Sequence, residues 1–309
     1  ASDVYKRQVY WRRLPYGGQF IHVDQQGIRL TWQSPAVSAR PRIFIMGGST
    51  VWGTGSRDAF TLPSEIAKQL AAVGIAADVV NLGESGYVTA QSVAMLLEQL
   101  RAGDAPNAVV FYIGVEDVFA AQQNGVAGWP QNEMNRRAEF NVTQPYSIGK
   151  LFAVLTAGTS RVSALLLQRP VMSNSIVAVE GERTRALAAS VLAQVCSNVR
   201  IARAIGRDYG FGITVYWQPV IFTKSPLTPY EQRERDRRAG LAALFDETHR
   251  LIGASTSPCG IADFHDLTLA FAAQAAPRFL DAMHLTEDGN RDVATLILPT
   301  LRKALAGPK

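Results

Sequence analysis

Cysteine and histidine are scarce in this chain of 309 residues, which contains two cysteines and four histidines. The two cysteines, Cys196 and Cys259, are too few for the disulfide framework of a small secreted domain. They also lack the paired spacing of a zinc site, so we expect no bound metal. Chemistry that depends on histidine has only four residues to draw on.

Long hydrophobic runs are also missing. A helix needs about 18 consecutive apolar residues to be a candidate membrane span, and the stretch that comes nearest, 151–167, is interrupted by Arg161 and several hydroxyl residues. The apolar core of a secretory signal is absent as well. We therefore expect no membrane-spanning segment in this sequence.

Charge is modest and not concentrated. The formal net charge is +5 and the arginines are scattered, so the sequence lacks the basic patch of a nucleic-acid-binding protein and we expect no such partner. The densest charged run, 231–238, mixes both signs. Its pairs Glu231–Arg235 and Glu234–Arg238 are spaced i,i+4, which predicts a solvated helix face.

The first 40 residues form an N-terminal extension to the main pattern. Residues 1–8 (ASDVYKRQ) resemble adapter sequence, and we exclude them from the fold interpretation as artefactual. Residues 9–18 (VYWRRLPYGG) are aromatic and basic, as is typical of chain just outside a membrane. This favours an extracytoplasmic, membrane-tethered protein with an anchor upstream. An arm that packs on the domain is the alternative.

Beyond residue 40, strands and helices alternate with short connections, which predicts a parallel, doubly wound α/β sheet. Unbroken apolar runs predict buried strands at 41–46, 76–83, 107–114, 211–217 and 260–264. Helices are predicted at 62–74, 90–103, 184–207, 229–253 and after the N-cap Thr286, the last with a kink at Pro299. We expect 41–309 to form one domain with an insertion at about 118–180, helical around 147–168.

Unusual residues follow the first three predicted strands, at Gly47–Thr50, Asn81–Gly86 and Gly114–Asp117. In open α/β sheets, ligands bind beyond the carboxyl ends of the strands, so these residues mark the expected site. Ser49 in the first group is consistent with a phosphate cradle, a nucleophile or a tight turn.

Known phosphate and nucleophile motifs do not fit the residues around Ser49. A P-loop requires lysine where Thr54 stands, and a dinucleotide fingerprint requires a third glycine that residues 53–58 (GTGSRD) lack. The nucleophile elbow of α/β-hydrolases requires a glycine where Val51 stands.

A nucleophilic serine needs a histidine base that a carboxylate orients. Two histidines have an aspartate three residues earlier. The pair Asp246–His249 lies in a helical pattern, where a solvated i,i+3 contact is expected. The pair Asp281–His284 lies in a loop before the final helix, where the chain can turn the imidazole toward Ser49. The other two histidines, His22 and His265, have no such partner.

Residues 42–306 resemble the SGNH/GDSL hydrolase family. The four sequence blocks of that family are matched in order by GGST (47–50), NLGESG (81–86), GVED (114–117) and DAMH (281–284). The resemblance implies a three-layer, flavodoxin-like fold with about five parallel strands and helices on both faces. It also implies ester chemistry without a cofactor.

The resemblance assigns roles to individual residues. Ser49 is the nucleophile, His284 the base and Asp281 its orienting carboxylate. The backbone N–H groups of Ser49 and Gly86 belong to the oxyanion hole, whose third donor in the family is an asparagine. Here that position is Glu116, which accepts rather than donates when ionised.

Gly48 is a second departure from the family, which usually has an aspartate at this position beside the nucleophile. A buried Glu116 is expected at the rim of the cleft beside Ser49, with a raised pKa, so that its neutral form could donate a hydrogen bond.

The sequence predicts a serine esterase acting on a small-molecule or glycan ester, and O-acylated carbohydrate is one such substrate. The alternatives are a polysaccharide O-acyltransferase and a non-catalytic glycan-binding relative, the second favoured by Glu116. Trp129, Trp217 and Tyr112 are candidates to stack on sugars, with core or rim packing as the other interpretation.

Overall fold

The computed structural model describes residues 3–6, 9–34, 40–142, 181–255 and 258–306. Its strands, in chain order, are β1 (Asp3–Lys6), β2 (Tyr10–Arg13), β3 (Tyr16–Gly17), β4 (His22–Val23), β5 (Arg42–Gly47), β6 (Asp78–Asn81), β7 (Ala108–Ile113), β8 (Gly212–Trp217) and β9 (Phe264–Asp266). Its α-helices are α1 (Ser49–Trp52), α2 (Leu62–Ala72), α3 (Thr89–Arg101), α4 (Val115–Asn124), α5 (Glu133–Val142), α6 (Glu182–Tyr209), α7 (Pro229–Arg237), α8 (Ala242–Gly253) and α9 (Glu287–Leu305).

The last five strands form one sheet in the spatial order β6-β5-β7-β8-β9. Each neighbouring pair in this sheet is parallel. Numbered along the chain, the order is 2-1-3-4-5, the flavodoxin-like arrangement of a doubly wound sheet. The predicted fold class is therefore confirmed.

Alternate side chains of the strands face two separate cores. In β5, Phe44 and Met46 pack on one side with helices α3, α4, α6 and α8. Ile43 and Ile45 pack on the other side with α2 and α9. Because both faces of the sheet are covered, β7 and the part of β5 after Arg42 are continuous apolar runs rather than alternating with polar residues.

The fifth strand of the sheet begins later than the sequence predicted. It was expected at 260–264 and lies at Phe264–Asp266. Cys259 and Gly260 have positive φ angles of 63° and 67°, so the chain turns here and cannot yet be extended.

The predicted helix 229–253 is divided in two. A short 3-10 turn at Ala239–Leu241 separates α7 from α8, and the side-chain amide of Gln122 donates to the Gly240 carbonyl at 2.7 Å. The last helix begins after its predicted N-cap, Thr286, whose hydroxyl accepts the Gly289 N–H. The helix continues through Pro299 to Leu305.

The first part of the predicted insertion belongs to a core layer. Helix α4 buries Val118 and Ala121 against the sheet. The helix predicted around 147–168 lies outside the described residues. The division of the chain into a domain with an insertion stays a prediction.

The N-terminal extension packs on the domain through several hydrogen bonds to the loop after β6. Trp11 donates its indole N–H to the Ser85 carbonyl at 2.9 Å, and Tyr87 donates to the Trp11 carbonyl. Arg13 donates to the Glu84 carboxylate at 3.0 Å and to the Ser85 hydroxyl at 2.6 Å. Residues 9–13 are therefore a packed arm, the alternative interpretation of this segment. None of the described helices combines the length and hydropathy that a membrane crossing requires.

A disulfide that the sequence did not predict joins Cys196 in α6 to Cys259 in the turn before β9. The Cα atoms are 4.9 Å apart and the cysteines are 63 residues apart in the chain. A pair this distant in sequence closes a long loop in the unfolded chain, which in the chain-entropy account is worth about 4 kcal/mol.

We expect the double variant Cys196→Ser/Cys259→Ser to lower the free energy of unfolding by about 2–4 kcal/mol. Urea unfolding of wild type and variant, with the buffer free of reductant, measures this difference. Both cysteines lie away from the carboxyl edge of the sheet, so the folded variant should keep the arrangement around Ser49. Two titratable free thiols in the native wild type would contradict the disulfide.

Candidate active site

Ser49 is the first residue of α1 and follows β5 after a single intervening residue, Gly48. At Gly47 the chain passes very close to β7 and to the side chain of Val51 in α1. A Cβ atom at Gly47 would lie 2.2 Å from the Tyr112 carbonyl oxygen and 2.6 Å from a methyl carbon of Val51. Glycine is therefore required there, and the chain turns at once from strand to helix with Ser49 at the carboxyl edge of the sheet.

The structure brings together the three residues predicted to form a triad. Ser49 Oγ lies 2.7 Å from His284 Nε2, and His284 Nδ1 lies 2.7 Å from Asp281 Oδ2. The other carboxylate oxygen of Asp281 accepts the backbone N–H groups of Met283 and His284, each at 2.9 Å. These local hydrogen bonds fix the imidazole relative to the carboxylate. The catalytic roles of the three residues stay a prediction.

The groups around Asp281 stabilise its ionised form. Burial raises the pKa of this carboxyl group, but the hydrogen bond and charge of His284 and the backbone N–H groups outweigh burial and lower it to about 2. Asp281 is therefore ionised at neutral pH and can stabilise a protonated imidazole.

A buried ion pair that the sequence analysis missed holds the loop of the triad. Glu231, predicted to lie on a solvated helix face, is fully buried, and its carboxylate accepts from Lys224 Nζ at 2.8 Å. The same carboxylate accepts the backbone N–H groups of Arg278 and Phe279 at 2.9 and 3.2 Å. Burial raises the pKa of Glu231, but hydrogen bonds from Lys224, Arg278 and Thr228 lower it to about 2. The TPYE sequence at Thr228 matches a capping box, yet no local signal predicts Lys224 as the partner.

A second missed residue, Arg29, supports the helix that carries Ser49. Its guanidinium donates to the carbonyl oxygens of Trp52, Gly53 and Ser56 at 3.0, 2.7 and 2.6 Å, at the end of α1. Its Nε donates to Asp58 at 2.8 Å. An isolated arginine in a polar segment carries no sequence signal for this role.

Glu116 lies in direct contact with Ser49, closer than the predicted position at the rim. Its Oε1 accepts the Ser49 backbone N–H at 2.7 Å and lies 3.0 Å from Ser49 Oγ. The side chain is only 2% exposed. Burial raises the pKa of the Glu116 carboxyl, opposed by its hydrogen bonds with Ser49 and by the charge of His284.

Gly86 lies in the loop after β6 with a positive φ of 76°. A Cβ atom there would meet the Gln131 side-chain oxygen at 3.0 Å, so the backbone runs close beneath that residue. The role of the Gly86 N–H as an oxyanion donor stays a prediction.

The rival pair Asp246–His249 is not a solvated contact as predicted. His249 is 8% exposed and packs against Phe245, and within the described part of the chain neither ring nitrogen has a hydrogen-bond partner. Burial lowers the pKa of His249 to about 4. Of the other two histidines, His265 stacks on Tyr216 at 4.9 Å, and His22 has a partner distant in sequence, Asp58, at 2.8 Å.

Two of the three aromatic residues considered for sugar stacking are core residues. Tyr112 and Trp217 are each 1% exposed, so a sugar cannot reach them. Trp129 is partly exposed, and Arg137 lies over its ring at 5.0 Å from the centroid. Across the described residues, no cluster of three or more His, Cys, Asp and Glu side chains could hold a metal ion.

We expect His249→Leu to reduce the loss of stability at acid pH. The unfolded chain binds this proton near pH 6.5 and the folded chain only near pH 4, so wild-type stability falls as pH drops through that window, by about 3 kcal/mol from this group. Urea unfolding at several pH values between these limits measures the slope for both proteins. Equal slopes would contradict a buried, neutral His249.

No family model matches the chain, and no curated protein matches it. Solved structures that it resembles include the acetyl xylan esterase AlAXEase, at 12% identity with a TM-score of 0.42, covering 84% of this chain and 99% of that one. Axe2, an acetylxylan esterase from Geobacillus stearothermophilus, is 13% identical with a TM-score of 0.44, covering 87% and 95%. A protein assigned to the G-D-S-L family of lipolytic proteins, from Desulfitobacterium hafniense DCB-2, is 8% identical with a TM-score of 0.44, covering 84% and 99%. At these identities and TM-scores, the likeness assigns no activity to this chain.

Proposed function

We propose that this protein is a serine esterase that hydrolyses an acyl ester through Ser49, His284 and Asp281. The observation that carries the proposal is the continuous chain of two 2.7 Å contacts from Ser49 Oγ through the imidazole to the Asp281 carboxylate. The resemblance of the four sequence blocks to SGNH/GDSL hydrolases supports the same assignment.

In the proposed reaction, Ser49 Oγ attacks the acyl carbon while His284 Nε2 takes its proton. The imidazolium that forms is stabilised by the ionised Asp281, which accepts the Nδ1 proton in a hydrogen bond. His284 then gives the proton to the leaving alcohol oxygen, and the acyl group stays on Ser49. A water molecule, deprotonated by His284, attacks the acyl-enzyme and releases the acid and the free serine.

The proposed substrate is an ester of a small molecule or glycan, O-acylated carbohydrate included, and the reaction needs no cofactor. The disulfide favours an extracytoplasmic location, since such bonds persist in oxidising compartments. Nucleic acid is not a proposed partner.

A second candidate is a non-catalytic glycan-binding protein with the same site. The observation that favours it is the carboxyl oxygen of Glu116 against the Ser49 N–H, where an esterase needs a free donor. A polysaccharide O-acyltransferase would share the first half of the esterase reaction and use a sugar hydroxyl in place of water.

We expect Ser49→Ala and His284→Ala to reduce hydrolysis of a short p-nitrophenyl ester to the background rate, because the members of a triad act as a unit. Asp281→Asn should leave about 10²-fold more activity than either variant. Steady-state rates of the purified proteins test this, with His249→Leu as the matched control that replaces a histidine outside the site. Turnover in Ser49→Ala equal to the wild type would refute the assignment.

A fluorophosphonate probe separates the candidates, since it labels an activated serine irrespective of the natural substrate. Labelling of wild type and not of Ser49→Ala supports an acyl-transfer enzyme. Absence of labelling in both, together with binding of an acylated glycan, supports the binding protein. Transfer of the acyl group to an added sugar in preference to water identifies the transferase.

A further inference from the structure

Glu116 and Gly48, the two departures from the family pattern, contact each other. A Cβ atom at Gly48 would lie 1.9 Å from Glu116 Oε1 and 2.0 Å from its carboxyl carbon. The φ angle of Gly48 is −92°, outside the left-handed region that favours glycine. The constraint visible at position 48 is therefore the Glu116 carboxyl group, which leaves no room for a Cβ atom where it lies.

The Glu116 carboxyl group occupies the place that a reacting carbonyl oxygen needs. Oxyanion donors stabilise an oxygen that lies about 2.7–3.1 Å away. Glu116 Oε1 lies 2.7 Å from the Ser49 backbone nitrogen, within that range. An ester cannot place its oxygen on the Ser49 N–H until Oε1 has withdrawn.

The same carboxyl oxygen competes with the base. The Ser49 hydroxyl has one hydrogen and two acceptors in reach, His284 Nε2 at 2.7 Å and Glu116 Oε1 at 3.0 Å. An ionised Glu116 takes both the N–H and a share of the hydroxyl hydrogen, and its charge repels a developing oxyanion. A neutral Glu116 carries a hydrogen that it can donate.

On balance, the surroundings of Glu116 favour its neutral, protonated form more than water does, because its pKa is raised. Burial raises the pKa of Glu116, while its contacts with Ser49 and the charge of His284 oppose that rise. Asp117, the next residue, is also buried, accepts the Thr89 N–H at 3.0 Å and hydroxyl at 2.7 Å, and has its pKa raised by burial to about 7. Tyr112, at the end of β7, is fully buried and its raised pKa keeps it neutral.

We propose that Glu116 is a further catalytic residue: its carboxylate occupies the oxyanion site of the resting protein, and its carboxylic acid form gives way to the ester oxygen and donates a hydrogen bond to it. The inference rests on the proposed esterase function. Glu116 keeps its own proton throughout, and the proton from Ser49 still passes through His284 to the leaving alcohol. Gly48 supplies the space for the carboxyl group.

The proposal makes the activity depend on pH in a defined direction. Turnover needs neutral Glu116 and unprotonated His284. As pH rises through the raised pKa of Glu116, the carboxylate form accumulates and activity falls. The alkaline fall belongs to Glu116 alone, so a side chain of the same size that does not titrate should remove it.

The first experiment compares kcat/KM for p-nitrophenyl acetate from about pH 5 to about pH 9 in wild type and Glu116→Gln. The amide keeps the length of the side chain and always carries an N–H. We expect the alkaline fall to vanish, with activity at about pH 9 raised by about 10²-fold, the usual effect of one oxyanion donor. Asp117→Asn is the matched control: it neutralises the adjacent buried carboxyl group and should keep an alkaline fall, moved to lower pH because the neighbouring negative charge is lost.

Three results would overturn the proposal. Loss of the alkaline fall in Asp117→Asn but not in Glu116→Gln would show that Asp117, and not Glu116, is the group that titrates. A lower kcat for Glu116→Gln at each pH, with Ser49 still labelled by fluorophosphonate, would leave the esterase standing and remove this role of Glu116. Absence of turnover and labelling in wild type and variants alike would overturn the esterase and this inference together.

A second experiment tests the coupling of Gly48 and Glu116. Gly48→Asp alone should lower the rate of fluorophosphonate labelling at least 10-fold, because the new side chain collides with the Glu116 carboxyl group. In the Glu116→Asn background, whose shorter side chain restores the family residue, Gly48→Asp should be tolerated and label at the rate of Glu116→Asn. The same fold-loss in both backgrounds would show that the positions are independent.

Discussion

The buried guanidinium of Arg29 holds the end of the short helix that carries Ser49. Helix α1 is a single turn, so its last carbonyl groups have no partners within the helix. Arg29 donates to the carbonyl oxygen of Trp52, the last residue of α1, and to those of Gly53 and Ser56 just after it, and is paired with Asp58. Its backbone also bridges to Asn81 at the edge of the sheet. A buried charge without these partners would be strongly destabilising, so the extension, β6 and α1 hold one another in place.

His284 depends on a separate support. The Lys224–Glu231 pair is wholly buried, and its carboxylate also accepts two backbone N–H groups of the loop that leads to Asp281. Removing either partner would leave an uncompensated buried charge and release the loop. The 2.7 Å contact between Ser49 and His284 is thus set by two polar clusters in distant parts of the chain.

The neighbourhood of Ser49 also shows two residues that form one unit. A side chain at position 48 would collide with the Glu116 carboxyl group where it now lies. Together they place a carboxyl oxygen against the Ser49 N–H at no steric cost. Because this oxygen lies against the Ser49 N–H, the protonation of Glu116 decides whether a charged or a neutral group meets that donor.

The sequence by itself determined the parallel sheet, the chain order of the four sequence blocks, and which of two Asp–His pairs was expected beside Ser49. Apolar runs such as β5 and β7 are local signals, and glycine-rich turns after them mark the carboxyl edge. Asp281–His284 was preferred over Asp246–His249 because one pair lies in a loop and the other in a helix, and the structure brings the first pair to Ser49. Such arguments need only the local chain.

Tertiary structure alone decided which polar groups are buried. Glu231 and His249 have the spacing of solvated helix residues, yet both are buried, and Cys196 and Cys259 form a bond across 63 residues. Periodicity reports the face of a helix on which a residue lies, but it does not report what covers that face. Whether a charge is paired, a histidine is neutral or a carboxyl group lies against the Ser49 N–H depends on partners distant in sequence, and only the folded chain brings those partners together.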